Sequence, residues 1–161
     1  MIFVTVGAQM PFDRLVRTVD AWAGARGRAD VFAQIGPTDR RPDHIEHARF
    51  LDPPIFRARV AAASAVVAHA GMGSILTALE LGKPIVVMPR RGDLRETRND
   101  HQVATARRLE EMGRVRAAFD ENQLTDLLDR IDELTAAGSI RGCASDELLD
   151  AVRTFIHGEG S

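Results

Sequence analysis

The chain has 161 residues, 45% of them hydrophobic and 27% charged, a composition that supports one domain with a buried core and excludes a largely disordered chain. Its 21 basic and 23 acidic residues leave a formal net charge of −2 without a block of like charge, which disfavours a protein that coats a nucleic-acid duplex. Cys143 is the sole cysteine, so an intrachain disulfide and a thiolate zinc site are excluded and a reducing compartment suits the chain.

Ile2 to Val6 is a short apolar, β-branched run that ends at Gly7 and reads as a buried strand. No basic leader precedes it, and no stretch of the chain reaches the ~20 apolar residues of a membrane span, so the expected location is cytoplasmic. From Phe12 the apolar positions Leu15, Val16, Val19, Trp22 and Ala23 recur at helical spacing until Gly24 and Gly27 stop the pattern. Val31 to Ile35 and Ala48 to Leu51 read as strands, and Ile55 to Ala63 as a helix. Ser64 to His69 is again an apolar strand, followed by a helix from Gly73 to Leu81 that Gly82 and Pro84 terminate. Ile85 to Met88 is a strand, Asn99 to Met112 a long helix and Val115 to Ala118 a short strand. Two further helices are expected, near Glu121 to Ala136 and Ser145 to His157. Strands alternating with helices predict an α/β domain spanning residues 1–161, with a Rossmann-like parallel sheet covered on both faces and ligands bound beyond the carboxyl ends of its strands.

His69-Ala70-Gly71-Met72-Gly73-Ser74 lies at such an end. Glycines there allow a ligand to approach the backbone, and the following helix start offers free N–H groups and a positive dipole end, as an anion site requires. A tight turn with packing glycines is the plainer alternative. Leu76 stands where a dinucleotide fingerprint needs its third glycine, and no Gly-Lys-Ser/Thr follows for a P-loop. Thr77 and Glu80 share a helix face one turn further in, placed to meet a ribose, although Glu80 also suits an exposed position near Lys83. Gly7-Ala8-Gln9 forms a second glycine loop at the same sheet edge, suited to a hydrogen bond to phosphate or sugar. After Met88 come Arg90, Arg91, Arg95 and Arg98, which could clamp a phosphate or carboxylate or form a solvated charged loop. Asn99 and Gln102 flank His101, itself a base, a sugar ligand or an ordinary helix-start histidine. Neither His101 nor His69 belongs to a metal-ligand cluster, so no metal is expected.

Gly71 to Pro84, with the Asn99-Asp100-His101-Gln102 segment, resembles the C-terminal nucleotide-sugar-binding domain of family 28 glycosyltransferases, the MurG-like group of the GT-B fold. Val4-Thr5-Val6-Gly7 with Pro11-Phe12-Asp13-Arg14-Leu15-Val16 is similar to a branch of that family. The branch comprises the small catalytic subunits of two-part UDP-GlcNAc transferases and their bacterial exopolysaccharide counterparts of the PssE type. The resemblance implies that Gly71, Met72, Gly73 and Ser74 hold a UDP diphosphate, to which Gly7 and Gln9 of the other glycine loop are expected to add bonds. Thr77 would occupy the ribose position, where the family usually has an acid. Asn99, His101 and Gln102 would meet the donor sugar, and Pro54, Ile55 and Phe56 would lie beside the uracil. Arg90, Arg91, Arg95 or Arg98 would read a uronate carboxylate. It further implies inverting transfer from a UDP-sugar without a cofactor, and a chain that is only the donor lobe. A membrane-anchored, PssD-like partner would then supply the acceptor lobe and the base, act on a polyprenyl-linked sugar and hold this chain at the inner face of the membrane. The stripe Leu148, Leu149, Val152, Phe155 and Ile156 could pack on that partner or on the chain's own sheet.

Overall fold

A computed structural model describes residues 1–7, 10–97 and 99–134. Gln9, Arg98, Cys143 and the last expected helix with its apolar stripe lie outside the described residues. The sheet has six strands: β1 (Ile2–Thr5), β2 (Val31–Gln34), β3 (Glu46–Ala48), β4 (Ala65–His69), β5 (Ile85–Met88) and β6 (Arg116–Ala117). All neighbouring pairs are parallel, in the order β3-β2-β1-β4-β5-β6. Helices α1 (Asp13–Arg26), α2 (Pro53–Ala62), α3 (Met72–Glu80), α4 (His101–Glu111) and α5 (Glu121–Asp129), then a 3-10 turn at Ile131–Glu133, complete the described elements. This is the expected α/β Rossmann-like sheet.

The twofold alternation of strand side chains divides the core between the two faces. Ile2, Val4, Val67, Val86 and Met88 point to one face and are covered by Leu15, Val19 and Trp22 of α1 with Leu124 and Leu128 of α5. Phe3, Val66, Ala68, Ile85 and Val87 point to the other, against Val60 of α2, Ile75 and Leu79 of α3 and Leu109 of α4. Because both faces are buried, β1, β4 and β5 read as continuous apolar runs rather than as alternating ones.

Several boundaries differ from the sequence reading. Helix α1 continues through Gly24 and ends at Gly27, whose φ of 65° is the left-handed stop. Gly24 serves packing instead: a Cβ there would lie 2.5 Å from the His44 ring. The third strand is Glu46–Ala48 rather than Ala48–Leu51, because it is a sheet edge that tolerates polar residues, and Phe50 turns outward, 53% exposed. Helix α4 starts at His101, since the Asn99 side chain accepts the His101 amide (2.8 Å) and caps the turn before it. Asp120 and Gln123 close a reciprocal cap at α5, with Asp120 accepting from Gln123 N and Gln123 from Phe119 N. That helix ends at Asp129, short of the expected Ala136.

Candidate functional site

β1 and β4 lie side by side, but the chain leaves β1 toward β2 and β4 toward β5, so the loops beyond them part and open a crevice. Thr5, buried at the end of β1, donates to Gln34 Oε1 (2.8 Å) and accepts from Gly7 N (3.1 Å), which fixes the turn of Gly7 at a φ of 77°. Across the crevice Gly71 caps α3. No side chain caps that helix start, which leaves its first-turn amides to a ligand or solvent. The two glycine loops and the loop after β5 enclose an open cavity of about 570 Å³, lined by Gly7, Met10, His69, Gly71 to Ser74, Arg90, Thr97 and Gln102.

Arg90 forms the wall between these loops and is only 4% exposed. Its Nη2 donates to the carbonyls of Val6 (2.8 Å) and Met10 (2.7 Å), and its Nη1 lies 3.0 Å from His69 Nδ1. Its Nε is buried without a partner. Gln102 Oε1 accepts from the Arg90 backbone amide (3.0 Å), joining the start of α4 to the end of β5. Among the described residues no carboxylate bonds this guanidinium, and burial lowers its pKa from the ordinary arginine value while Glu96 acts from a distance to raise it. His69 is held neutral: burial first, then the Arg90 charge, pushes its pKa down to about 3.

A second buried guanidinium stands behind the first. Arg14 of α1 donates to both oxygens of Glu96 (2.9 Å each), to Glu121 of α5 (2.9 Å) and to the Pro89 carbonyl (3.3 Å). Glu96 also accepts from Arg91 N (3.0 Å), so the loop after β5 is tied down through one carboxylate. Burial is the largest influence on Arg14 and lowers its pKa, but the bonds and charges of Glu96 and Glu121 outweigh it, and the net shift is upward. Arg14 and Arg90 lie 5.5 and 5.2 Å from the centroid of the same Phe12 ring. Phe12, Arg14, Glu96 and Glu121 carry no site role in the sequence reading. Phe12 and Arg14 enter it through the Pro11-Phe12-Asp13-Arg14 motif, and Phe12 and Glu121 as the starts of helices.

The structure brings Gly7, His69, Gly71, Met72, Gly73, Ser74, Arg90 and Gln102 around one cavity. Thr77 donates to the Gly73 carbonyl (2.8 Å), one turn back on α3, and Glu80 is exposed and pairs with Arg57 of α2 (3.2 Å). Asn99 is engaged at the start of α4, where His101 lies exposed. Arg91 pairs with Asp93 (2.6 Å), away from the carbonyl cluster that holds Arg90. Arg95 is exposed at a φ of 58°, a left-handed backbone that arginine rarely adopts. Pro54 and Ile55 are exposed at the start of α2, whereas Phe56 is partly buried with its ring edge-on to Phe3 at 5.5 Å. Among the described residues no group of three or more His, Cys, Asp and Glu is placed to hold a metal ion, and no helix is long and apolar enough to cross a membrane.

A parallel six-stranded Rossmann-like sheet with helices on both faces matches the fold of the C-terminal lobe of GT-B glycosyltransferases. Residues 1–139 match the glycosyltransferase family 28 C-terminal domain, and the chain belongs to that family. Among solved structures, the solution structure of ALG13 superimposes with a TM-score of 0.62 at 20% identity, covering 90% of this chain and 91% of that one. The kitacinnamycin glycotransferase gives a TM-score of 0.61 at 20% identity over 99% of this chain and 40% of its own. MurG of Acinetobacter baumannii gives 0.58 at 14% identity over 94% and 49%. The chain therefore spans less than half of those two glycosyltransferases and nearly all of ALG13. At these identities the likeness concerns the fold.

Proposed function

We propose that this chain is the donor-binding subunit of a two-component, inverting UDP-sugar glycosyltransferase that acts on a lipid-linked acceptor in exopolysaccharide assembly. The observation that carries the reading is Arg90, a buried guanidinium without a carboxylate partner among the described residues, set in the wall of a cavity that also holds an uncapped glycine helix start. A buried, unbalanced cation is costly until an anion meets it, and a diphosphate fits the volume and the donors. The α3 amides, with Arg90 behind them, would stabilise the charge that develops on the departing diphosphate. Thr77 faces the ribose in this reading, Gln102, Asn99 and His101 the sugar, and Ile55 with Pro54 the base. Arg91, Arg95 and Arg98 are the candidates for reading a uronate.

The acceptor hydroxyl still needs a base. His69 is a poor one, because Nδ1 is engaged by Arg90 and burial holds its pKa to about 3. That supports a base contributed from elsewhere, in this reading by a membrane-anchored acceptor lobe on a separate chain. Calorimetric titration with UDP, UDP-glucose and UDP-glucuronate, followed by assay of the chain alone and with its genomic neighbour, tests the reading. The expected result is UDP binding by the chain alone and sugar transfer only by the pair. Absence of UDP binding, or NAD binding tighter than UDP, would overturn it. UDP binding without turnover in the reconstituted pair would leave a non-catalytic nucleotide-sugar subunit.

A further inference from the structure

We propose that Arg90 is a positioning residue that fixes the tautomer of His69, so that the imidazole presents Nε2–H to the cavity as a hydrogen-bond donor for the donor-substrate diphosphate. The second half of this statement rests on the nucleotide-sugar reading above; the first half does not.

A guanidinium has five N–H groups and no acceptor. With Arg90 Nη1 3.0 Å from His69 Nδ1, the imidazole nitrogen must offer its lone pair, and the ring proton then resides on Nε2. Protonating Nδ1 as well would set two donors and two positive charges against each other. The low pKa of His69 agrees with that conflict and with the ring's burial. Arg90 cannot swing away to relieve it, since Nη2 is bound to two carbonyls from the loop after β1 and its backbone amide to Gln102. Of the charged groups acting here, Arg90 faces the ring directly from the loop after β5. Glu96 acts on Arg90 from a distance and is itself neutralised by Arg14.

His69 lines the cavity, and with Nδ1 engaged by Arg90 the opposite edge of the ring is the one left for a ligand. A Cβ on Gly7 would stand 2.9 Å from His69 Nε2, and one on Gly71 would stand 2.0 Å from Cε1 and 2.5 Å from Nε2. Both neighbours are glycines, so neither sets a side chain against Nε2, and among the described residues no hydrogen bond from Nε2 is found. The glycines thus serve the imidazole as well as the backbone approach of an anion. A neutral donor of this kind works at any physiological pH, and the charge of Arg90 behind Nδ1 polarises it toward the ligand.

Long-range 1H–15N spectra of the labelled chain decide the tautomer. His69 is expected with a protonated Nε2 and a bare Nδ1, unchanged from pH 5.5 to 8, and addition of UDP should shift Nε2–H. In Arg90→Met the ring should titrate in that window or populate both tautomers, and Arg90→Lys should restore part of the wild-type pattern. A protonated Nδ1 in the wild-type chain would overturn the proposal. Should Arg90→Met fail to fold, side-chain mimics serve in its place, because a glutamine amide overlies Nε2 and an asparagine amide Nδ1. His69→Asn is expected to weaken UDP binding about tenfold, the loss of one hydrogen bond to a charged group, and His69→Gln clearly less. Equal losses in the two variants would sink the donor role. A wild-type Nε2–H tautomer with no UDP binding would reject the nucleotide-sugar reading while leaving the tautomer in place.

Discussion

Arg14 and Arg90 lie against the same phenylalanine, both buried and both anchored on the loop after β5, yet they are balanced in opposite ways. Arg14 meets two carboxylates and joins α1, the β5 loop and α5, so its charge is cancelled within the fold. Arg90 meets two carbonyls and an imidazole, and its charge is left over. A paired buried charge is a structural tie, whereas an unpaired one at a cavity is a binding group whose counterion arrives with the ligand. Arg14 ties the loop after β5 to α1 and α5, whereas Arg90 is, in the proposed reading, the charge that an anion would balance.

The difference gives opposite expectations for the same substitution. Arg14→Met leaves Glu96, 14% exposed, without its counterion, and should cost about 3 kcal/mol of stability in urea unfolding. Glu121 is 54% exposed, so Glu121→Gln should cost only about 0.5 kcal/mol after solvent screening. A loss below about 1 kcal/mol for Arg14→Met would mean that the tie is screened and the contrast is empty. Arg90→Met removes a buried charge along with its hydrogen bonds, so the stability loss should be smaller, about 1 to 2 kcal/mol. UDP affinity should instead fall about 10- to 100-fold. Unchanged affinity, or destabilisation as large as that of Arg14→Met, would make the two arginines equivalent.

The pH dependence of stability sharpens the same contrast. His69 binds its proton less readily in the folded chain, about 3 against an ordinary 6.5, because of burial and then Arg90. The unfolded chain therefore takes up the proton first as pH falls. The stability contributed by neutral His69 is complete above pH 6.5 and declines below it, at up to about 1.4 kcal/mol per pH unit, until the folded pKa is reached. Asp30, Asp93 and Asp129, lowered chiefly by hydrogen bonds from Arg28, Arg91 and Arg26, add a loss in the acid range. The measurable quantity is thus the difference in slope between wild type and His69→Gln from pH 6.5 to 4. Identical slopes would show that His69 is free to charge and that Arg90 does not control it.

Most of the sheet was legible because β1, β4 and β5 are uninterrupted apolar runs bounded by glycine and proline, a pattern that both-face burial imposes. The edge was not: Glu46-His47-Ala48 has no apolar signal, since an edge strand has one free side and little core to cover. The glycine loops, His69, Arg90 and Gln102 could be marked by their places after strands, a consequence of parallel topology. The division of labour among the arginines was hidden. Arg14 and Glu96 are 82 positions apart, and no local spacing distinguishes Arg90, bonded to carbonyls, from its neighbour Arg91, paired with Asp93. Charge pairing across the sheet edge is set by three-dimensional contacts that periodicity does not encode.

Gly73→Ala tests the ligand side of the contrast with the least disturbance to the fold. Gly7 and Gly71 cannot report ligand contact cleanly, because a side chain at either would strike His69 and Gly7 also needs its φ of 77°. At Gly73 an added Cβ meets no atom within 4 Å, and the residue lies in the first turn of α3, where alanine is the better helix former. Stability should therefore be unchanged or rise by up to about 1 kcal/mol. Gly73 also lines the cavity, so a methyl group there would project into the space that a diphosphate needs if it sits on the helix start. The expected result is a small drop in UDP affinity, about three- to tenfold, together with a melting temperature at or above that of the wild type. Unchanged UDP affinity in this variant would move the diphosphate off the helix start.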